Sequence, residues 1–416
     1  MRMPGDLTDA TTRRRVPSFP AAARVLSVLA LTGSGALVGC QAGGSTSDSS
    51  EMANGSATET TTSEERRELL NEIENRYVVG PIAASRVNYR VDWQHNTGSS
   101  GINSLNVADD SVLVLSTGNF LTRLGREDGQ SYWNLPVAQV ADEVYSVTYV
   151  PEASRVHVMT GAELHELDSA TGAIQGKHRL QQIANTDCVQ YGDSLLYGSR
   201  NGQLVWFSHT IAFQHSAYQI ASSMTVRPAI HAGMVAAVGN EGELMLIGAR
   251  NARRFWSRQL IEPVVAPAVV TNDAVYVAGQ DQYVQAFDVS SGLRIWADLT
   301  EAPLEDSPVI IGDRLYQAVP GLGLVCYEAL PFDTPGGIEH WVATDVAGTV
   351  VTTRGNRLYV WDDETRVMTI LDAARGDVID SYNWSKAESL HSTSLDRGEL
   401  FLTDAEGNVL RLVPSA

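Results

Sequence analysis

Apolar and polar residues along this chain fall mostly into short alternating runs, not helical stripes. From residue 112 onward a β-rich strand, a turn and a second strand recur, often followed by a glycine and, four residues later, a tryptophan. The copies open at Val112–Leu115, Arg155–Val158, Leu195–Gly198, Met234–Ala237, Ala274–Val277, Arg314–Gln317, Arg357–Val360 and Glu399–Leu402. A period of about 40 residues with alternating patterning predicts a β-propeller in which each copy builds one four-stranded blade. Eight copies give an all-β, eight-bladed β-propeller over residues 85–416.

The turns carry the residues such hairpins require. Gly202, Gly242 and Gly407 stand where a tight inner turn needs positive φ. The fifth copy is the most complete: Ala286, Asp288, Ser291, Gly292 and Trp296 mark its second half. Asp288 and Ser291 are suited to hydrogen-bond the turn backbone, Gly292 to make a left-handed corner, and Trp296 to cover a large area between neighbouring blades. Trp133, Trp256 and Trp341 hold the same place in other copies, whereas the third copy departs most, between Ser208 and Ser223. The last copy ends at Ala416 without an outermost strand, and before the first copy stands Asn88–Trp93, a strand with the terminal tryptophan but no hairpin. That segment is expected to complete the eighth blade, so that no edge stays open.

The N-terminus is patterned differently. Arg2, Arg13, Arg14, Arg15 and Arg24 precede an apolar stretch, Val25–Gly39, and then Cys40. A basic segment followed by a short apolar one reads as an export signal over residues 1–39 and is short for a bilayer span. Residues 40–62 are rich in Ser, Thr, Gly and Ala and read as a flexible tether. Thr62 and Glu65 form a capping box that opens a short helix over residues 63–79, with Leu69, Leu70, Ile73 and Tyr77 on one face, expected to pack against the propeller as a stalk or cap, with a partner-binding helix as the alternative.

Composition narrows the function. The chain is 44% hydrophobic, enough for a buried core, and its net charge of −19 argues against a nucleic-acid footprint and against electrostatic docking on anionic lipid. Of the three cysteines, Cys188 and Cys326 fall in strands of different blades and are expected to be small buried hydrophobes without a disulfide. The nine histidines show no zinc spacing; His157 and His165 flank one hairpin and are weighed as a facing metal pair, with ordinary strand histidines the preferred reading. Neither a nucleophile elbow nor a phosphate loop occurs, and Asp109–Asp110 and Asp362–Asp363 read as solvated turn residues. No catalytic residue, metal or cofactor is assigned.

Leu37, Val38, Gly39 and Cys40 resemble the lipobox of bacterial lipoproteins, which implies acylation at Cys40, and Gln41 after it is compatible with the outer membrane. The fifth copy resembles the A-x-D-x-x-T-G-x-x-x-W repeat of quinoprotein-type (PQQ-like) propellers, with Ser291 in place of Thr. Trp361–Asp362 imitates the dipeptide of the WD40 relatives but stands in the first strand of its copy. The PQQ-dependent dehydrogenases among these propellers carry vicinal cysteines that this chain lacks, so an enzyme is the least favoured reading. Lipobox, tether and eight such blades together are similar to the propeller lipoproteins of the outer-membrane β-barrel assembly machinery. That resemblance implies a lipid-anchored envelope scaffold on the periplasmic side of the outer membrane, binding protein partners through loops around its third and fourth blades. The matching stretches are Tyr218–Arg227 and Ile261–Val265, and they offer Ile220, Met224, Arg227 and Glu262 as partner-binding residues. A small-ligand or sensory propeller using the central channel is the alternative.

Overall fold

In the computed structural model, residues 63–415 are described; Cys40, the export signal and the tether of residues 40–62 lie outside them. Eight four-stranded antiparallel sheets follow one another along the chain, as the forty-residue period predicts. The first seven run in sequence order. Blade 1 uses Ile102–Val107, Ser111–Ser116, Phe120–Gly125 and Ser131–Pro136; blade 5 uses Val269–Val270, Ala274–Ala278, Tyr283–Asp288 and Arg294–Leu299. The strands with which the sequence copies open are thus the second strands of their blades, each preceded by a first strand that in blades 3 to 6 is only two or three residues long. Brevity hid those first strands from a pattern search, and it moves Trp361 and Asp362 from a first strand to the second, Arg357–Asp362.

The eighth sheet closes the ring. The strand Tyr89–Asn96, here β1, pairs antiparallel with Asn408–Pro414 and becomes the outermost strand of a blade whose other three strands come from the C-terminus. Around this seam Arg411, 3% exposed in its side chain, gathers Glu399 at 2.8 Å, Glu127 at 3.1 Å and Asp92 at 3.1 Å, so β1, blade 8 and the turn of blade 1 share one guanidinium.

The expected helix is shorter and less docked than its pattern suggests. Helix α1 spans Ser63–Asn75 and buries none of its residues; Leu69, Leu70 and Ile73 are exposed. The chain turns because the Glu74 carboxylate accepts hydrogen bonds from the backbone N–H groups of Ile82 and Ala83, at 2.9 and 2.8 Å, and so caps a second helix, α2, over Pro81–Arg86. It is α2 and its flanks, through Val78, Val79, Ala84 and Val87, that pack on the core between blades 7 and 8.

Seams between blades follow one rule. In the outermost strands Trp133, Trp256, Trp296, Trp341 and, in β1, Trp93 each donate the indole N–H to the carbonyl just after the third strand of the next blade: Ser169, Val289, Ala329, Ala373 and Arg126. The turn glycine of that next blade lies under the ring. A Cβ on Gly292 would stand 2.5 Å from Trp256, and one on Gly129 2.6 Å from Trp93. Glycine and tryptophan therefore belong to different copies: the glycine of one seats the tryptophan of the copy before.

The exceptions obey the same logic. Blade 3 carries its indole one strand inward, Trp206 opposite Ser216, and still reaches the carbonyl of Ala249 at 2.6 Å. Blade 2 has Gly176 where the tryptophan would stand, opposite Glu166. With no indole arriving from an outermost strand, blades 3 and 4 place Ala212 and Ala252, not glycine, at the left-handed turn position, with φ of 53° and 51°. At the seam between blades 7 and 8, Arg354 takes the equivalent carbonyl, that of Ser415, at 2.7 Å.

Candidate partner-binding face

Antiparallel four-stranded blades put two kinds of loop on each face of the ring. One face carries the turns between second and third strands together with the connectors from each blade to the next. Backbone hydrogen bonds tie them: Arg200 to Ile183, Asn240 to Ser223 and Gln280 to Pro263. Side chains add to this. Asn185 donates to the carbonyl of Met224 at 2.6 Å, and Ser222 to the Glu243 carboxylate at 2.6 Å. The connectors are thus held by their neighbours, which suits them to present side chains in fixed positions.

Equivalent connector residues recur at intervals of forty, and the burial pattern shows which of them can meet a partner. Leu180, Ile220 and Leu260 are buried, as are Ala184, Met224 and Val264 four residues further on. Ile220 and Met224, expected to touch a partner, are 0% exposed and fill the core between blades 3 and 4 with Trp206 and Ile247. Their apolar character is that of anchors, and the match with Leu260 and Val264 at the same phase was the signal available in the sequence. The apolar positions that do face out lie one to three residues further along than Val137, Leu180 and Leu260. Ile261 is 78% and Val140 79% exposed, and Ile183 is also exposed, so three connectors present an unsupported apolar side chain each.

Charged groups frame these residues. Arg227 is half exposed and bridges two connectors, its Nε 3.1 Å from Asp187 Oδ2, and also donates to the carbonyl of Cys188. Its guanidinium, after burial, helps hold the His391 imidazole below its ordinary pKa, which places positive charge near the first strand of blade 8, Ala387–Ser392. Glu262 is exposed beside Ile261. A groove of about 350 Å³ opens next to it, walled by Leu260, Ile261, Phe287 and Leu293, with Arg258 and Asp281 among its polar lining. Burial and then the Glu262 charge raise the Asp281 carboxyl above its usual range. Of the four expected residues the structure thus leaves Arg227 and Glu262 on the surface, on successive connectors.

The remaining chemistry-bearing residues are placed as follows. Asp288 Oδ1 accepts from Ser290 Oγ, Ser291 Oγ and Ser291 N, each at 2.7 Å, and these hydrogen bonds hold its carboxyl below the usual range. Ala286, 0% exposed, faces Trp296 across the strand pair, where a larger residue would collide with the ring. Cys188 and Cys326 are buried and free. His157 and His165 do not face each other: His157 pairs with Glu166 and His165 with Val158, so the two point to opposite sides of blade 2. His165 instead bonds the Val137 carbonyl at 2.6 Å, on the side of blade 1. Among the described residues no cluster of three or more metal-ligating side chains occurs, and no helix is long and apolar enough to cross a membrane.

The chain is similar in structure to BamB from Moraxella catarrhalis, with a TM-score of 0.60 at 16% identity over 74% of this chain and 96% of that one. It is similar to the same degree to the computationally designed Ika8 protein, with a TM-score of 0.61 at 12% identity over 76% of this chain and 96% of that one. At such identities the likeness shows the fold alone. No curated protein matches the sequence. The sequence of residues 90–298, half of the chain, matches the family described as outer membrane protein assembly factor BamB. With the PQQ-like repeat, the eight blades and that match together, the chain belongs to the BamB family of PQQ-repeat propellers.

Proposed function

We propose that this protein is a lipid-anchored envelope scaffold that acts by binding, not by catalysis, and that it holds protein partners on the connector face during outer-membrane β-barrel assembly. The observation that carries the reading is the set of exposed apolar residues Val140, Ile183 and Ile261 on connectors whose neighbouring residues Val137, Ala184 and Leu260 are buried, with Arg227 paired to Asp187 on the connector of Ile183 and Glu262 beside Ile261. Interfaces of this kind draw their energy from a few desolvated apolar or aromatic anchors inside a polar rim. The name borne by the family, an outer membrane protein assembly factor, supplies the class of partner. Acylation of Cys40, followed by a tether of some twenty residues, would keep the ring close to the membrane while leaving its orientation free.

The test is crosslinking and co-purification from detergent-solubilised envelope. Stoichiometric recovery of a large barrel protein is expected, and the double variant Ile261→Asp, Glu262→Arg should lose it while unfolding at the same denaturant concentration as the parent. Unchanged recovery with that variant would remove the connector face from the reading, and a bound small molecule without a protein partner would replace scaffold by sensor. Cys40→Ser should release the protein from the membrane fraction.

A further inference from the structure

Blade 2 meets blade 3 in a way no other seam repeats. At seven of the eight seams a side chain of the earlier blade donates to the carbonyl just after the third strand of the next one, six times an indole and once Arg354. In blade 3 the residue at that carbonyl is His209, following the strand Gln203–Ser208, and blade 2 offers Gly176 in place of a tryptophan. Two imidazoles stand there instead. His157, on the blade 3 side of its strand, lies with its ring centroid 5.2 Å from that of His209, the planes 45° apart.

Each ring leaves a buried nitrogen without a hydrogen-bond partner, Nδ1 of His157 and Nε2 of His209. His157 is 2% exposed, and an orphaned polar atom in such a place costs free energy unless something occupies it. Burial, with the neighbouring His209 second, pushes its pKa down to about 4, so the imidazole is neutral and has a lone pair to give. Two imidazoles bound to one tetrahedral ion at Zn–N distances of about 2.0–2.1 Å have ring centres roughly 5 Å apart. The observed centroid separation of 5.2 Å agrees with that value. Negative charge lies close by: Glu166 stands opposite His157 in the strand pairing, held by Arg155 at 2.7 Å and by His178 at 3.3 Å. His209 also lines an open cavity of about 650 Å³ together with Asp193 and Glu152, so solvent reaches the edge of its ring although its Nε2 is buried.

We propose that His157 and His209 bind one divalent transition-metal ion of the zinc class, bridging blades 2 and 3 where the ring lacks its indole. The ion takes two protein nitrogens and completes its coordination with water. Imidazole suits zinc, copper and nickel, and excludes calcium or magnesium as the occupant. The site is remote from the connector face and does not depend on the scaffold reading.

The experiment titrates ZnCl2 into chelator-treated, untagged full-length chain, following heat of binding and thermal unfolding, with Co2+ as a spectroscopic probe. One equivalent of zinc, a rise in Tm and a visible cobalt band typical of nitrogen ligation are expected. His209→Ala should weaken zinc binding by about tenfold or more and abolish the zinc-dependent rise in Tm. Because His209 is only half-buried, this variant is expected to fold, and a metal-free Tm close to the parent's checks that. His178→Ala, which removes a neighbour and not a ligand, should bind zinc nearly as the parent does. Absence of a one-equivalent event, or equal zinc affinity in His209→Ala and the parent, would overturn the site and leave a bridging water as the occupant of the two nitrogens.

Discussion

The seam between blades 5 and 6 and the seam between blades 2 and 3 solve one packing problem in opposite ways. In the first, Trp296 is fully buried, bonds the carbonyl of Ala329 at 2.8 Å and stacks near Tyr327 with ring centroids 5.7 Å apart. In the second, Gly176 leaves the place of the indole to His157 and His209, whose buried nitrogens have no partner. An aromatic seam is satisfied by the chain itself and stays so at any pH or ion concentration. An imidazole seam is complete only with something the chain does not contain. A repeat protein tolerates one such joint because each blade draws its stability from its own core and its nearest neighbours.

The largest effect should come from breaking the regular seam. Trp296→Ala removes a fully buried ring and one hydrogen bond and should cost about 3–5 kcal/mol in urea unfolding; a loss below about 1 kcal/mol would mean that the indoles do not hold the ring together. Arg411→Met strands the carboxylates of Glu399 and Asp92 at the closing seam, with an expected cost of about 3 kcal/mol. Gly292→Ala forces a Cβ against Trp256 at a φ of 66° and should cost about 2 kcal/mol, whereas Ala252→Gly, at a turn that receives its indole from the third strand of the preceding blade and not from the outermost one, should be neutral or stabilise by up to about 1 kcal/mol. Equal responses at the two turns would refute the pairing of each glycine with the preceding blade's tryptophan.

The smallest effect is electrostatic and depends on pH. The Asp281 carboxyl is raised by burial and by Glu262, so the fold favours its protonated form. That contribution is complete below the unfolded-state value, about 3.9, and is lost as pH rises through the higher folded value. Asp281→Asn should therefore stabilise the protein at pH 7 and not at pH 3. Partial exposure keeps the gain to a few tenths of a kcal/mol, and an equal change at both pH values would argue against the raised carboxyl.

Much of this was legible in the residues. The blade count, the ring closure around Trp93 and the turn role of Asp288 all follow from patterns that repeat, and repetition lets one copy interpret another. The residues that misled were those read singly. Ile220 and Met224 looked like contact residues until set in phase with Leu260 and Val264, which bear the same burial. His157 and His165 looked like a pair because they flank one turn, but the strand register sends them to opposite neighbours. Leu69, Leu70 and Ile73 form a helical stripe, yet α1 stops at Asn75 and α2, capped by the Glu74 carboxylate, takes the docking position. Trp206 was missed because blade 3 exchanged large and small residues across a strand pair, an inversion visible only once the partner strand is known.

The placement of β1 has a consequence for biogenesis. This strand leaves the ribosome, and emerges into any new compartment, ahead of every blade, but its partner, Asn408–Pro414, arrives last. Throughout that interval the growing protein is an open arc with two unsatisfied ends, and only the final few residues let it snap into a circle. Truncation of even one strand at the C-terminus would leave the first strand unclaimed, and a mechanical pull on the N-terminal side of β1 would load the same ladder of hydrogen bonds that seals the ring.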